Sequence, residues 1–202
     1  MPSFDSEDEN CISKEGSVNI VDRVRNLLLT PKPEWQAIHG EKMTIQEVYL
    51  QYLVLLAAFP AGGQLLSIWR FGGLNFALRM AIASYLATLI GAYVSSLVVD
   101  HLATNFSSTR NQHNAFKLVA YGAAPSLLAG ALAFLPNIGA LAALAGAIYT
   151  IYLFYLGLPV LMATPQEKVL PYMIFSFVAM IIVYYVIGWV LAFFFGVRFM
   201  PL

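Results

Sequence analysis

Residues 138–162 read IGALAALAGAIYTIYLFYLGLPVLM, without one charged side chain. A helix needs about 20 apolar residues to cross the hydrocarbon core of a bilayer, and this run supplies them. A surface helix of that length in water would carry a charged face, and this one has none. The charge-free stretch extends outward over residues 118–166. Four further apolar runs cover residues 48–68, 76–99, 117–135 and 172–195. They are separated by Arg70-Phe71-Gly72-Gly73, by Asp100 to Phe116, by Pro136-Asn137 and by Thr164-Pro165-Gln166-Glu167-Lys168. The third of these breaks is so short that its flanking helices are expected to form a tight antiparallel hairpin. The predicted fold is all-α: a polytopic membrane protein, a five-transmembrane-helix bundle preceded by an N-terminal interfacial amphipathic helix.

The composition of the whole chain agrees. Of 202 residues, 59% are hydrophobic and 11% charged, against about 25% charged in an ordinary soluble domain. Mean hydropathy is +0.71. Too little polar surface remains for a soluble enzyme or a disordered chain. Lys+Arg and Asp+Glu balance at 11 each, so the basic excess of a nucleic-acid binder is missing. The single cysteine, Cys11, forms no intrachain disulfide.

The charges divide the chain. Nine acidic and five basic residues precede Val48, and only eight charges follow it. Residues 1–16 read as a disordered acidic tail, 17–47 as a cytoplasmic or interfacial helical segment, and 48–202 as the membrane domain. Within the middle segment, Val18, Val21, Val24 and Leu28 recur near helical spacing, with Asp22, Arg23, Arg25 and Asn26 mostly elsewhere. That pattern predicts an amphipathic helix in the headgroup region, ended by Pro31 and Pro33, with Trp35 as an interface anchor. Thr44-Ile45-Gln46-Glu47 matches a capping box at the start of the first span. Lys and Arg in short loops favour the cytoplasmic side. Eight fall on the side of the N-terminus and three on the other, which predicts a cytoplasmic N-terminus and an exported C-terminus.

Chemistry inside a bilayer requires polar or titratable groups there, and the five runs hold almost none. No His/Cys/carboxylate set has metal-ligand spacing. Ser126 stands outside any Gly-x-Ser-x-Gly elbow, and no phosphate-binding or dinucleotide fingerprint occurs. No catalytic residue, cofactor or metal site is therefore expected, and the protein reads as a non-enzyme.

Two other patterns carry expectations. Ala83, Ala87, Gly91 and Ser95 recur every four positions along the second run. Small side chains let membrane helices approach closely, so this face is a candidate packing surface, within one bundle or toward a homo-oligomer or another membrane protein. Pro60, Pro125 and Pro159 lie inside runs and remove the helical donors for the carbonyls of Leu56, Tyr121 and Tyr155. Such kinks can line a pocket, with Pro60, Tyr121, Pro125, Ser126, Tyr155 and Pro159 as its candidate residues. If the kink serves packing alone, a hydroxyl such as Ser126 or Thr88 is expected to satisfy the Tyr121 carbonyl.

The ordered features also resemble a known family. Leu27-Leu28-Leu29-Thr30-Pro31-Lys32-Pro33-Glu34-Trp35-Gln36-Ala37-Ile38 followed by Glu41 resembles the N-terminal segment of bacterial Yip1-domain membrane proteins. Tyr121-Gly122-Ala123-Ala124-Pro125 is similar to the third helix of that family. Tyr149-x-x-Tyr152-Leu153-x-Tyr155-x-Gly157-x-Pro159-Val160-Leu161-Met162, then Pro165-x-Glu167-Lys168, resembles its fourth helix and following loop. The resemblance implies five spanning helices, a cytoplasmic N-terminus and a place in a bacterial inner membrane. Eukaryotic relatives act in vesicle traffic and bind prenylated Rab GTPases, but the Asp-Leu-Tyr-Gly-Pro segment of that branch is missing here, so Rab binding is not implied. The expected role is to organise membrane or partner proteins, with the lipid bilayer as the constant partner. The alternative is a small transporter or channel with a pocket between proline-kinked helices.

Overall fold

The computed structural model describes residues 19–195. The acidic tail expected at 1–16, Cys11, Arg198 and the C-terminus lie outside them. The described residues are helical with no strand. Helix α1 spans Ile20–Leu29, and the Asn19 side chain caps it by accepting from the Val21 amide. Helix α2 spans Pro31–Gly40. Pro31 both stops α1 and starts α2, because its missing N–H and fixed φ suit the first turn of a helix. Pro31 thus separates the halves of a helical hairpin, and the second half continues past Pro33, where the amphipathic helix was expected to have ended.

Helix α3, Ile45–Val48, opens with the capping box closed in both directions: the Thr44 amide donates to Glu47 Oε2 at 2.7 Å and the Glu47 amide to Thr44 Oγ1 at 3.2 Å. A π-helical turn at Tyr49–Leu53 leads into α4, Val54–Ala103, which breaks at Gly73 (φ 74°, ψ 163°). That backbone region is open essentially to glycine alone. The Tyr85 hydroxyl donates to the Val54 carbonyl at 3.2 Å. In a straight helix these residues, 31 positions apart, would stand about 46 Å from each other. The two limbs of α4 therefore fold back side by side.

Thr104–Phe106 forms a 3-10 turn, and α5, Gln112–Gly122, follows, capped by Asn111. Helix α6, Ala124–Gly130, restarts with Pro125 in its first turn and ends in a 3-10 turn at Ala131–Phe134. Asn137, at φ 62°, reverses the chain into α7, Ile138–Leu161. Close approach of α6 and α7 depends on glycine: a Cβ on Gly146 would lie 2.9 Å from the Pro125 carbonyl oxygen. Helix α8, Gln166–Phe194, packs on the second limb of α4, where the Tyr172 hydroxyl donates to the Val99 carbonyl at 2.7 Å.

Four stretches are long and apolar enough to cross a membrane: Ile45–Phe106, Gln112–Phe134, Ile138–Leu161 and Gln166–Phe194. The most apolar part of Gln112–Phe134 is 61% buried and that of Gln166–Phe194 only 6%, so α5 forms the centre of the bundle and α8 its rim. The connections at 104–111 and 162–165 meet at one end, joined by Thr109 N to Met162 O at 2.8 Å and Lys168 Nζ to Ser107 Oγ at 2.7 Å.

Candidate functional site

The most concentrated polar chemistry inside the fold comes from the hairpin of α1 and α2. The inward face of α1 is Ile20, Arg23, Val24, Leu27 and Leu28, while Val21 points outward. Arg23, read from sequence as part of the polar face, is buried. Its Nη1 donates to Glu34 Oε1 at 2.6 Å and its Nη2 to Glu41 Oε1. The guanidinium lies 5.6 Å from the centre of the Tyr121 ring, and that ring packs 4.5 Å from Tyr52. Burial alone disfavours the charge of Arg23, but the hydrogen bond and charge of Glu41, with Tyr121 and Glu34, outweigh it and hold its pKa above the ordinary value.

Lys117, expected near the aqueous start of a span, is 1% exposed. Its Nζ donates to the carbonyls of Ile38 at 3.0 Å and Glu41 at 2.6 Å. These carbonyls sit at the C-terminal end of α2, where a helix leaves acceptors unpaired and presents the negative pole of its dipole. Lys117 thus caps α2 from another helix. Two cations and two carboxylates share this interior, so it carries no net charge. The Arg23 and Lys117 side chains are both engaged by groups of the hairpin itself, so the cluster clamps the hairpin to α5.

The hairpin also reaches the middle of α7. The Tyr149 hydroxyl donates to the Leu28 carbonyl at 2.7 Å, and Tyr149 stands at the middle of the 24-residue α7. Trp35 is fully buried, which corrects the expectation of an interface anchor. It lies against Gly157, where a Cβ would fall 3.0 Å from its indole and 2.6 Å from Leu118 Cδ1. At that position α7 has room for α2 only because it carries no side chain.

A second polar cluster joins the second limb of α4 to α5. Arg110 Nε donates to Asp100 Oδ2 at 2.8 Å and Gln112 Nε2 to Ser96 Oγ at 2.9 Å. Asp100 is 5% exposed, so its carboxylate lies inside the protein although it opens the break between two apolar runs.

The proline-kink residues are not brought together. Pro60 packs on Gly130, where a Cβ would lie 2.6 Å from Pro60 Cβ. The Tyr121 side chain turns to the hairpin, with its hydroxyl 3.9 Å from Met43 Sδ. Ser126 pairs with Thr150 at 2.8 Å, and Thr88 donates to Ser84 O at 2.9 Å. Neither hydroxyl is hydrogen-bonded to the Tyr121 carbonyl. Tyr155 is exposed on α7, and Pro159 lies inside that helix, which continues to Leu161. Ser126 and Thr150 instead line a separate cleft of about 630 Å³ between α8 and the α5, α6 and α7 helices.

Of the small-residue face, Ala83, Gly91 and Ser95 are buried and Ala87 is half-buried. A Cβ on Gly91 would meet Tyr184 Cε1 at 2.3 Å, and Ala83 and Ala87 lie near Gly188 and Ala192. This face therefore looks to α8 of the same chain. Among the described residues, no group of three His, Cys, Asp or Glu side chains is placed to hold a metal.

Sequence reasoning missed Arg23, Glu34, Glu41 and Lys117 as partners. A signal was present in the spacing of Arg23 with Val24 and Leu27, which puts the arginine on the apolar face. The separation of 76 positions between Glu41 and Lys117 hid the remainder.

The Yip1 domain model matches residues 25–190. Inner membrane protein YohC of Escherichia coli strain K12 is 29% identical over 159 residues, covering 72% of this chain and 81% of that protein. YohC of E. coli O6:H1 matches to the same extent. No solved structure matches significantly.

Proposed function

The chain belongs to the Yip1-domain family, and from that premise we propose that this integral membrane protein crosses the bilayer five times and organises membrane without catalysing a reaction. A 62-residue apolar stretch would run about 93 Å as a straight helix, three times the ~30 Å core. The break at Gly73 and the Tyr85–Val54 contact favour two crossings there, making five with α5–α6, α7 and α8. The basic residues of the N-terminal segment and of the 104–111 connection favour the cytoplasm for the hairpin end, and a bacterial inner membrane agrees with the location named for YohC.

The observation that carries the reading is the Tyr149–Leu28 hydrogen bond. It supports a hairpin sunk among the helices of one leaflet. That leaflet then holds seven helices in cross-section and the other five, so the molecule is a wedge. A wedge is more stable in a membrane curved to match it, and gathers there. The charge cluster supports the same reading, since it is used to keep the hairpin in place. A transport reading has less support, because the kink residues do not converge and no carboxylate lines the cleft.

The test is sorting by curvature. The full chain, reconstituted into vesicles of equal parts phosphatidylethanolamine and phosphatidylglycerol, should be enriched per lipid in the small-diameter fraction. Equal density across vesicle sizes would remove the proposal. Reporters fused at the two ends test the crossings: Met1 should report the cytoplasm and Leu202 the exported side.

A further inference from the structure

The cleft behind α8 has a geometry that the wedge reading does not use. Near the 104–111 end, α8 is held tightly: Phe106 stacks on Tyr172 at 5.0 Å, and Phe177 packs on Phe154 at 4.9 Å. Further along, its closest approach is to the second limb of α4, through Tyr184 and Gly91. The space left between α8 and the α5, α6 and α7 helices is the cleft of about 630 Å³. Phe154 and Phe177 line it where α8 is gripped. Ser126 and Thr150 sit in its wall, and Ile181 and Tyr185, 68% and 75% exposed, line its surface.

We infer that this cleft is a lipid site that takes one acyl chain of a bilayer phospholipid. Thr150 lies at the middle of α7, so the cleft opens at the depth of hydrocarbon. The Ser126 and Thr150 hydroxyls bind each other and Thr88 donates to Ser84 of its own helix, so the hydroxyls of the inner wall are already partnered. A charged or sugar-like solute would meet an almost wholly apolar lining and no ionisable partner. The volume falls within the ~300–1,000 Å³ of small-molecule sites. It holds little more than one turn of a helix about 10 Å wide, too little to seat a helix of a second copy. A flexible hydrocarbon chain fits both the shape and the chemistry. The chain enters from the leaflet that holds the end of α8, with its methyl end toward Phe154 and Phe177.

The experiment uses the full chain in nanodiscs of equal parts phosphatidylethanolamine and phosphatidylglycerol, doped with phosphatidylethanolamine carrying a diazirine at the methyl end of one chain. After illumination, peptide mapping should find label concentrated on Phe154, Met180 and Tyr184 above that on Ile148 and Ile174, which face outward elsewhere. Ser126→Leu fills the cleft and should reduce cleft label to the level at Ile148. Ile181→Trp blocks the mouth from an exposed position that the fold tolerates, and should do the same. Label spread evenly over the outer faces, or unchanged in Ile181→Trp, would overturn the site. So would a disulfide-linked dimer through Ile181→Cys in a Cys11→Ser background together with absent cleft label, which would assign the cleft to a second copy. Curvature sorting is unaffected by either cleft variant, so failure here is distinct from failure of the wedge.

Discussion

The hydroxyl of Tyr149 and the carbonyl of Leu28 are joined at 2.7 Å across 121 positions of sequence. One belongs to the middle of an apolar helix and the other to a hairpin that precedes the apolar runs. Their contact ties the hairpin to the middle of α7, and a change at Tyr149 reports on it.

Tyr149→Phe keeps the ring and removes the bond. The loss should be about 0.5–1.5 kcal/mol, confined to the hairpin. Hydrogen exchange should show faster exchange for residues 20–40 with α5 and α7 unchanged. Unaltered protection of the hairpin would show that the bond does not hold it.

Arg23→Leu leaves Glu34 and Glu41 without their cation. Breaking a buried pair from one side costs about 3–5 kcal/mol, and thermal unfolding in detergent should register it. The triple change Arg23→Leu, Glu34→Leu, Glu41→Leu removes the stranded carboxylates and should recover much of the loss. If the triple variant is as unstable as the single one, uncompensated charge is not the cause.

Neighbouring glycines in α4 should respond oppositely. At Gly62 a Cβ meets nothing within 4 Å, and at Gly63 it would lie 2.2 Å from the Gly130 carbonyl oxygen and 2.8 Å from that of Ala131. Gly63→Ala should cost about 1–3 kcal/mol through overpacking, because helix backbone cannot yield as a side chain can. Gly62→Ala should be neutral or stabilising. Gly91→Ala should fall between them, since the obstacle is the Tyr184 ring, 38% exposed and free to swing. Equal melting temperatures for Gly62→Ala and Gly63→Ala would contradict the packing described.

Gly73→Ala tests the turn between the limbs of α4. There is space for the methyl group, so the cost is conformational: about 1–3 kcal/mol for a side chain in this backbone region. A variant as stable as the parent would mean that the turn relaxes at no cost.

Hydrophobic run length was enough to read a helical membrane protein from sequence, because the cost of unpaired backbone in lipid admits helices and closed barrels alone, and uninterrupted runs of this length are helices. The capping box at Thr44 was equally legible, since its partners are three residues apart. Gly91 and its small neighbours marked a contact face by spacing alone, while the identity of the facing helix was not in the spacing. Three features were decided only in the tertiary structure. Arg23 and Lys117 read as aqueous charges, and they became interior ones because Glu34, Glu41 and the open carbonyls of α2 come to them across the fold. Trp35 read as an interface anchor, and Gly157 on a distant helix made room for it inside. Ser126 was a candidate partner for the Tyr121 carbonyl of its own segment if the kink served packing alone, and it pairs instead with Thr150 of α7. Local pattern determines which elements form, because helix caps, breaks and apolar length act within a few residues. Which polar group meets which is settled by distance in space, and no periodicity along the chain encodes that.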